Sequence, residues 1–325
     1  MRRALGLAAL VLLAACDNGG GSRTLGVDAT GIVRGSVFFD ANGSGLRDGS
    51  ETAFAGAAVR LLTASGTDTV QSGTTAADGS FRFAAVPVGS WTIELDSASV
   101  GDTAVVVGTR RLAIAVTPRD SVVFDRAVTY PSRTLAQART AAIGQHILVR
   151  GIALTSRTTF SDTTLHVVDA TGAMRSVRVR PSGVAAGDSV VLSARVASRF
   201  GQRVLDDVTT FVIAPTLVPT AVAVTSAAAA TGGTAGALDA ALVRLTNVLV
   251  TDTATVNGDL RLTVTDGSGP AFIVLDRAAD PGFRAPLPTG VFIPGNRFDL
   301  LAVLVPDGAG AWSIKPRSSL DLVRR

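Results

Sequence analysis

Three phrases in the second half of the chain occur twice, in the same order and about one hundred residues apart. "HILVRGIALT" (146–155) is matched by "ALVRLTNVLVT" (241–251), and "LHVVDATGAMRSVRV" (165–179) by "LTVTDGSGPAFIVL" (262–275). "AAGDSVVLSARVASRFGQRVL" (185–205) is matched by "IPGNRFDLLAVLVPDGAGAWSI" (293–314). Repetition that keeps its order means one supersecondary unit built twice. Each copy alternates apolar and polar residues with period two. It turns at Asp-Ala-Thr-Gly or Asp-Gly-Ser-Gly, then passes a Gly-polar turn into two further runs. Five strands in that rhythm predict a small closed barrel, spanning 130–215 in the first copy and 216–325 in the second. "TLAQARTAAIG" (134–144) is the one stretch that reads as helix; the alanine-rich 221–231 is too short to span a membrane.

The first part of the chain carries the same period without the repeat. "GIVRGSVFF", "AAVRLLT", "SFRFAAV", "SWTIELD" and "SVVFDRAV" are β-branched runs separated by "ADGS" (77–80) and "VPVGS" (86–90). That pattern predicts a β-sandwich over 31–129. The fold class expected for the whole chain is therefore all-β, an N-terminal sandwich followed by two tandem barrels. A hydrophobic content of 47% excludes a wholly disordered chain.

The barrels resemble the OB-like barrels of bacterial exported proteins through the phrases "LVR-x-x-N-V" and "V-x-D-x-x-G". The sandwich resembles the SdrD B-like (Cna-B, prealbumin-like) domains of surface proteins. Four phrases carry that likeness in order: D-x-N-x-x-G-x-x-D-x-x-E, G-x-x-V-x-L, D-G-x-F-x-F and P-x-G-x-W-x-I. Some relatives lock the sandwich by an isopeptide bond from a lysine. Lys315 is the only lysine of the chain, so 31–129 has none to offer.

At the N-terminus, Arg2 and Arg3 precede twelve mostly apolar residues, Ala4–Ala15, and then Cys16. Twelve residues are too few to cross a layer roughly 30 Å thick, so they read as the core of a signal segment. "LAAC" (13–16) resembles the lipobox of bacterial lipoproteins. The resemblance implies cleavage before Cys16, a diacylglycerol on its thiol and acylation of the new amine. At ~0.8 kcal/mol per buried CH₂, several acyl chains anchor a protein stably. Residues 17–30 read as a flexible linker. Asp17 resembles the inner-membrane retention signal of enteric bacteria, a rule that does not extend to all lineages. The expected location is the cell envelope, at the outer membrane or cell surface, and Cys16 is the sole cysteine, leaving no intrachain disulfide.

"DANGSGLRDGSE" (40–51) is the one stretch with metal-ligand spacing. Asp40, Asn42, Ser44, Asp48 and Glu51 occupy positions one, three, five, nine and twelve of an EF-hand loop, and Leu46 at seven offers its carbonyl. Gly45 stands at six, where the chain must turn sharply. Calcium needs six to eight hard oxygens, and alternate residues of a tight loop converge to supply them. Strand-like sequence on both sides replaces the usual helices. Asn-Gly-Ser-Gly also connects strands without any metal, so a plain polar turn stands beside the calcium reading. An open site of this kind would bind calcium with a Kd on the order of 10⁻⁴–10⁻³ M, in a structural role.

Catalytic signals are sparse. His146 and His166 stand at strand positions with no third partner in register, and no nucleophile elbow, zinc-helix, phosphate-loop or paired-cysteine motif occurs. Asp206 and Asp207 read as a solvated turn. The expectation is a protein that is not an enzyme. A formal charge of +4 is no electrostatic footprint for nucleic acid. Arg175, Arg178, Arg180, Arg195, Arg199 and Arg203 are the residues on which a polyanion or single-stranded nucleic-acid groove would depend, with solvated strand faces as the other reading. The function expected is a monomeric, lipid-anchored envelope protein with a structural, adhesive or ligand-binding role.

Overall fold

The computed structural model describes residues 29–49, 51–283, 291–308 and 310–325. The leader, Cys16 and most of the expected linker lie outside the described residues.

The sandwich opens with β1 (Thr30–Phe39), β2 (Thr52–Ala53), β3 (Ala58–Thr63), β4 (Thr69–Thr74) and β5 (Ser80–Pro87). It continues with β6 (Gly89–Leu95), β7 (Val105–Val106), β8 (Arg111–Val116), β9 (Ser121–Val123) and β10 (Arg126–Thr129). Strand β1 organises one sheet, pairing with β2 and β5 antiparallel and with β9 and β10 in parallel. The facing sheet runs β4-β3-β6-β8. Alternation puts Val33, Val37, Phe81 and Phe83 of the first sheet against Val59, Leu61, Ile93 and Leu95 of the second, all buried. Because β2 pairs with the end of β1 (Phe39↔Thr52), the segment 40–51 is the loop between those two strands.

The first barrel comprises β11 (Ser132–Arg133), α1 (Leu135–Ala138), β12 (His146–Ala153), β13 (Leu165–Asp169), β14 (Gly172–Ser176), β15 (Asp188–Arg199) and β16 (Gln202–Pro215). Its sheet runs β12-β13-β14-β16-β15 and closes by pairing β15 back onto β12. The second barrel comprises β17 (Val222–Ala223), α2 (Ser226–Ala230), β18 (Leu242–Val256), β19 (Asp259–Thr265), β20 (Pro270–Leu275), β21 (Arg297–Pro306), β22 (Trp312–Lys315) and β23 (Leu322–Arg324). It closes in the same order, β18-β19-β20-β22-β21 and back to β18. In both barrels the third strand pairs with the fifth in parallel, β14 with β16 and β20 with β22. The chain is all-β, a sandwich followed by closed barrels.

The internal repeat extends to individual hydrogen bonds. In the first barrel the Leu135 amide donates to Asp169 Oδ2 (2.8 Å) and the Ala136 amide to Thr171 Oγ1 (3.1 Å). In the second, the Ser226 amide donates to Asp266 Oδ2 (3.0 Å) and the Ala227 amide to Ser268 Oγ (3.1 Å). The aspartate of each hairpin turn thus satisfies orphan donors at the start of its barrel's helix. Burial alone would raise Asp266, but hydrogen bonds from Ser268 and Ser226 outweigh it and hold the carboxyl far below its ordinary range. Gly187 and Gly295, with φ of 95° and 97°, make the same turn before the fourth strand. Each donates its amide across the barrel, to the Ala153 and Val250 carbonyls.

Three expectations need correction. The helix expected over 134–144 is one turn, Leu135–Ala138, closed by a capping box of Thr134 and Gln137. A second helix, Ser226–Ala230, stands where only a short alanine-rich stretch was expected. Each barrel also carries a lead-in strand, β11 or β17, parallel to its first strand and additional to the five expected. No helix among the described residues is long and apolar enough to cross a membrane.

Candidate functional site

The loop 40–51 is held at its root before its own side chains act. The Asp40 amide donates to the Val128 carbonyl (2.8 Å), and Thr129 Oγ1 donates to the Asp40 carbonyl (2.6 Å). The Asp40 side chain is fully buried and accepts from the Ser44 amide (Oδ1, 3.1 Å) and the Gly45 amide (Oδ2, 2.7 Å). Gly45 makes the sharp turn with φ of 78°. Asn42 Oδ1 also accepts from the Ser44 amide, and Asn42 Nδ2 donates to Asp48 Oδ2 (3.0 Å). Glu51, buried, accepts from the Ala41 amide (Oε1, 3.2 Å) and the Asp48 amide (Oε2, 3.2 Å). Ser44 Oγ donates to the Leu46 carbonyl, while the Leu46 side chain is exposed.

All six sequence-predicted ligand residues thus share one small network. Burial raises the Glu51 pKa, and the like charges of Asp40 and Asp48 raise it further, against amide hydrogen bonds from Asp48 and Ala41 that lower it. Each carboxylate oxygen has two lone-pair sites, so an oxygen that accepts one amide can still face a cation. Among the described residues no group of three His, Cys, Asp or Glu side chains is gathered to hold a metal ion. In this conformation the amides of Ser44, Gly45, Ala41 and Asp48 engage the carboxylate oxygens of Asp40 and Glu51. The donor chemistry fits calcium; the side chains stand further open than a filled site requires.

The loop also faces the first barrel. Arg150 Nη2 donates to the Gly43 carbonyl (3.1 Å), and a Cβ on Gly43 would lie 3.1 Å from Leu148 Cδ1. Beside it Phe39 meets Tyr130 edge-on at 4.7 Å, and Tyr130 stacks flat on His146 at 3.6 Å. His146 Nε2 lies 3.1 Å from Ser193 Oγ. Burial, then the nearby Arg195, lowers the His146 pKa.

His166 is fully buried, with burial first and Arg175 second lowering its pKa to about 3. It stays neutral at ordinary pH. Its Nδ1 lies 3.4 Å from Thr155 Oγ1, and Nε2 has no hydrogen-bond partner among the described residues. The two histidines belong to different surroundings, one at each end of the first barrel's contacts with its neighbours.

The six arginines do not form one groove. Arg175 is buried and donates from Nε to Asp239 Oδ1 of the second barrel (3.1 Å). Arg178 makes a two-pronged pair with Asp206, and Arg180 lies 3.5 Å from Asp207. Arg195 is exposed beside His146, Arg199 lies over Phe200 at 5.4 Å, and Arg203 donates to the Ala141 carbonyl.

Sequence reasoning missed the groups that join the barrels. Arg139 Nη2 donates to the Asp239 carbonyl (3.0 Å), and the Asp239 carboxylate is closed from solvent between Arg139 and Arg175. Burial pushes the Asp239 carboxyl up, while the two guanidiniums pull it back. The Ser161 amide and Oγ both donate to Asp276 Oδ2 at 2.8 Å. Lys315 Nζ stands 3.5 Å from Asp162, 3.7 Å from Asp276 and 4.6 Å over the Phe160 ring. Leu154, Phe160, Leu242 and Val303 make the apolar centre of this junction. Two signals were readable: Asp239 is a single charge inside "GALDAALV", and Lys315 is the chain's one lysine.

A family model for the SdrD B-like domain matches residues 33–111, the greater part of the sandwich. No curated protein sequence matches the chain. Among solved structures, the chain is similar to the minor pilin GBS52 of Streptococcus agalactiae, at 13% identity and a TM-score of 0.25. That overlap covers 31% of this chain and 45% of the pilin, so the chain spans less than half of its length. A streptococcal ancillary pilin overlaps at 10% identity, covering 59% of this chain and 61% of that one, with a TM-score of 0.25. The Ifi202 HINa domain, solved with a 20bp dsDNA, overlaps at 12% identity over 57% of this chain and 97% of its own, with a TM-score of 0.28. Overlaps this loose carry no argument about function.

Proposed function

We propose that this is a lipid-anchored cell-envelope protein with a structural, adhesive role, built as a stalk of one SdrD B-like sandwich and two OB-like barrels. The observation that carries the reading is the buried junction between the barrels, with Asp239 and Asp276 of the second closed against Arg175 and Ser161 of the first. Such a junction transmits position rather than opening around a substrate. The SdrD B-like match at 33–111 supports a place at the cell surface. The "LAAC" resemblance supports Cys16 as the acylated residue. In this reading Asp40, Asn42, Ser44, Asp48, Glu51 and the Leu46 carbonyl take a calcium ion weakly, its charge offsetting the burial, and then the like charges of Asp40 and Asp48, that raise the Glu51 pKa. Anchoring is tested by feeding cells an alkyne fatty acid. The wild-type chain should become labelled and partition with membranes, whereas Cys16→Ser should do neither. Equal labelling of both would remove the anchor.

A polyanion-binding role would rest on Arg195, Arg199 and Arg203, because carboxylates engage Arg175, Arg178 and Arg180.

A further inference from the structure

The repeat gives the two barrels one architecture and opposite surroundings. Aligning the hairpin aspartates Asp169 and Asp266 equates Arg175 with Phe272 and His166 with Thr263. The structure agrees, since His166↔Arg175 and Thr263↔Phe272 are both cross-strand pairs. The preceding residues, Met174 and Ala271, point into their respective cores. In the first barrel the outer face of β13 and β14 is sealed by the second barrel, leaving His166 at 0% and Arg175 at 2% exposure. In the second barrel the same face, β19 and β20, presents Arg261, Thr263, Phe272 and Val274 half-buried. A recess of about 290 Å³ adjoins it, edged by Asp259 and Asp307. The Arg261 guanidinium lies over Phe272 at 4.8 Å and makes no ion pair among the described residues.

We infer that this face is covered by the same face of a second copy, across a two-fold axis. Charge argues for that occupant. The sealed face of the first barrel offers the cation Arg175, which needs an opposite charge from elsewhere and receives it from Asp239. The open face carries both signs side by side, Arg261 with Asp259 two residues before it on one strand; Asp259 Oδ1 accepts from the Arg277 amide (3.1 Å) and keeps further lone pairs for a guanidinium. A patch bearing both signs is complementary to itself under two-fold rotation, Arg261 of one copy meeting Asp259 of the other. Connectivity argues likewise. Each barrel docks on its predecessor near the start of its first strand: Leu148 lies at Gly43 of the sandwich, and Leu242 packs with Leu154 and Phe160. Both docking ends are used within one chain, so a second copy has its open face to offer. Phe272 and Val274 form the apolar centre, with an aromatic and an arginine as anchors. The inference departs from the monomer expected from sequence, and it depends on neither the lipid nor calcium.

Sedimentation velocity on the full chain, made as Cys16→Ser to keep it free of lipid, tests it. The expected result is a reversible dimer with a Kd on the order of 10 μM. Arg261→Asp and Asp259→Arg should each weaken it at least about tenfold by setting like charges together, and the double exchange should restore it. Unchanged melting temperatures show that the variants fold. Without any variant, hydrogen exchange should slow across 259–265 and 270–275 as protein concentration rises. A wild-type chain that stays monomeric at about 200 μM overturns the proposal. So does a dimer indifferent to both single changes, one the double exchange fails to restore, or one whose protection appears on another face.

Discussion

Between the two barrels, Asp239 and Asp276 are shut away from water against Arg175, Ser161 and Lys315, around an apolar centre of Leu154, Phe160, Leu242 and Val303. Between the sandwich and the first barrel, an exposed Arg150 reaches the Gly43 carbonyl while Tyr130 lies flat on His146. The first junction is held by desolvated charge and the second by a loop resting on a strand. A desolvated pair is costly to break because the surviving partner has no water to turn to; a surface contact is replaced by solvent at small cost. The junction between the barrels is therefore the costlier of the two to open, and the loop 40–51 lies at the other.

Removing one partner of the buried pair should give the largest effect. Asp239→Ala strands Arg175, whose Nη2 already lacks a hydrogen-bond partner among the described residues, and should cost about 3–5 kcal/mol. Differential scanning calorimetry should show the barrel transition falling by roughly 2–4 °C per kcal/mol. A loss as small as that of a surface pair would erase the contrast between the junctions.

Acid should strain the same junction next. The folded His166 has a pKa of about 3 against an ordinary 6.5, so the unfolded chain binds the extra proton as pH falls below the ordinary value. Its contribution to stability is complete above that value and is lost toward the folded pKa, at up to about 1.4 kcal/mol per pH unit. His166→Gln should flatten that part of the urea-denaturation profile. An unchanged slope would mean that His166 is not shut away from solvent.

The sandwich junction should yield least. Arg150→Ala, at an exposed contact, should cost about 1 kcal/mol or less in the same urea titration. A loss as large as that of Asp239→Ala would make the two junctions alike.

Much of this arrangement was legible in the sequence because strand period and turn chemistry are local. The turns "DATG" and "DGSG" fixed both hairpins, and the ordered phrases of the repeat located strands that pair in identical order. The helix Leu135–Ala138 was legible only within the longer stretch 134–144, and Ser226–Ala230 was not read as helix at all, since one turn shows no periodicity and each is held here by Asp169 or Asp266 from a distant hairpin. Arg175 shows the deeper limit. Alternation places it on the outer face of its barrel, and whether that face meets water or another domain is decided by residues 239 and 276, far along the chain. The loop ligands were legible as a set, but their engagement with the amides of Ala41, Ser44 and Gly45 depends on backbone geometry that spacing does not encode.

The central claim, that calcium braces the sandwich at its junction, is tested most directly by following the melting of the full chain during a calcium titration. The account predicts a rise that sets in at about millimolar calcium and grows with the logarithm of its concentration, worth about 1.4 kcal/mol at roughly tenfold excess over Kd. The rise should shrink on acidification, because a proton competes for Glu51 at higher pH than for an ordinary glutamate. Glu51→Gln should abolish it. A wild-type chain whose melting is unmoved by millimolar calcium, or a Glu51→Gln chain that keeps the whole shift, would contradict the account.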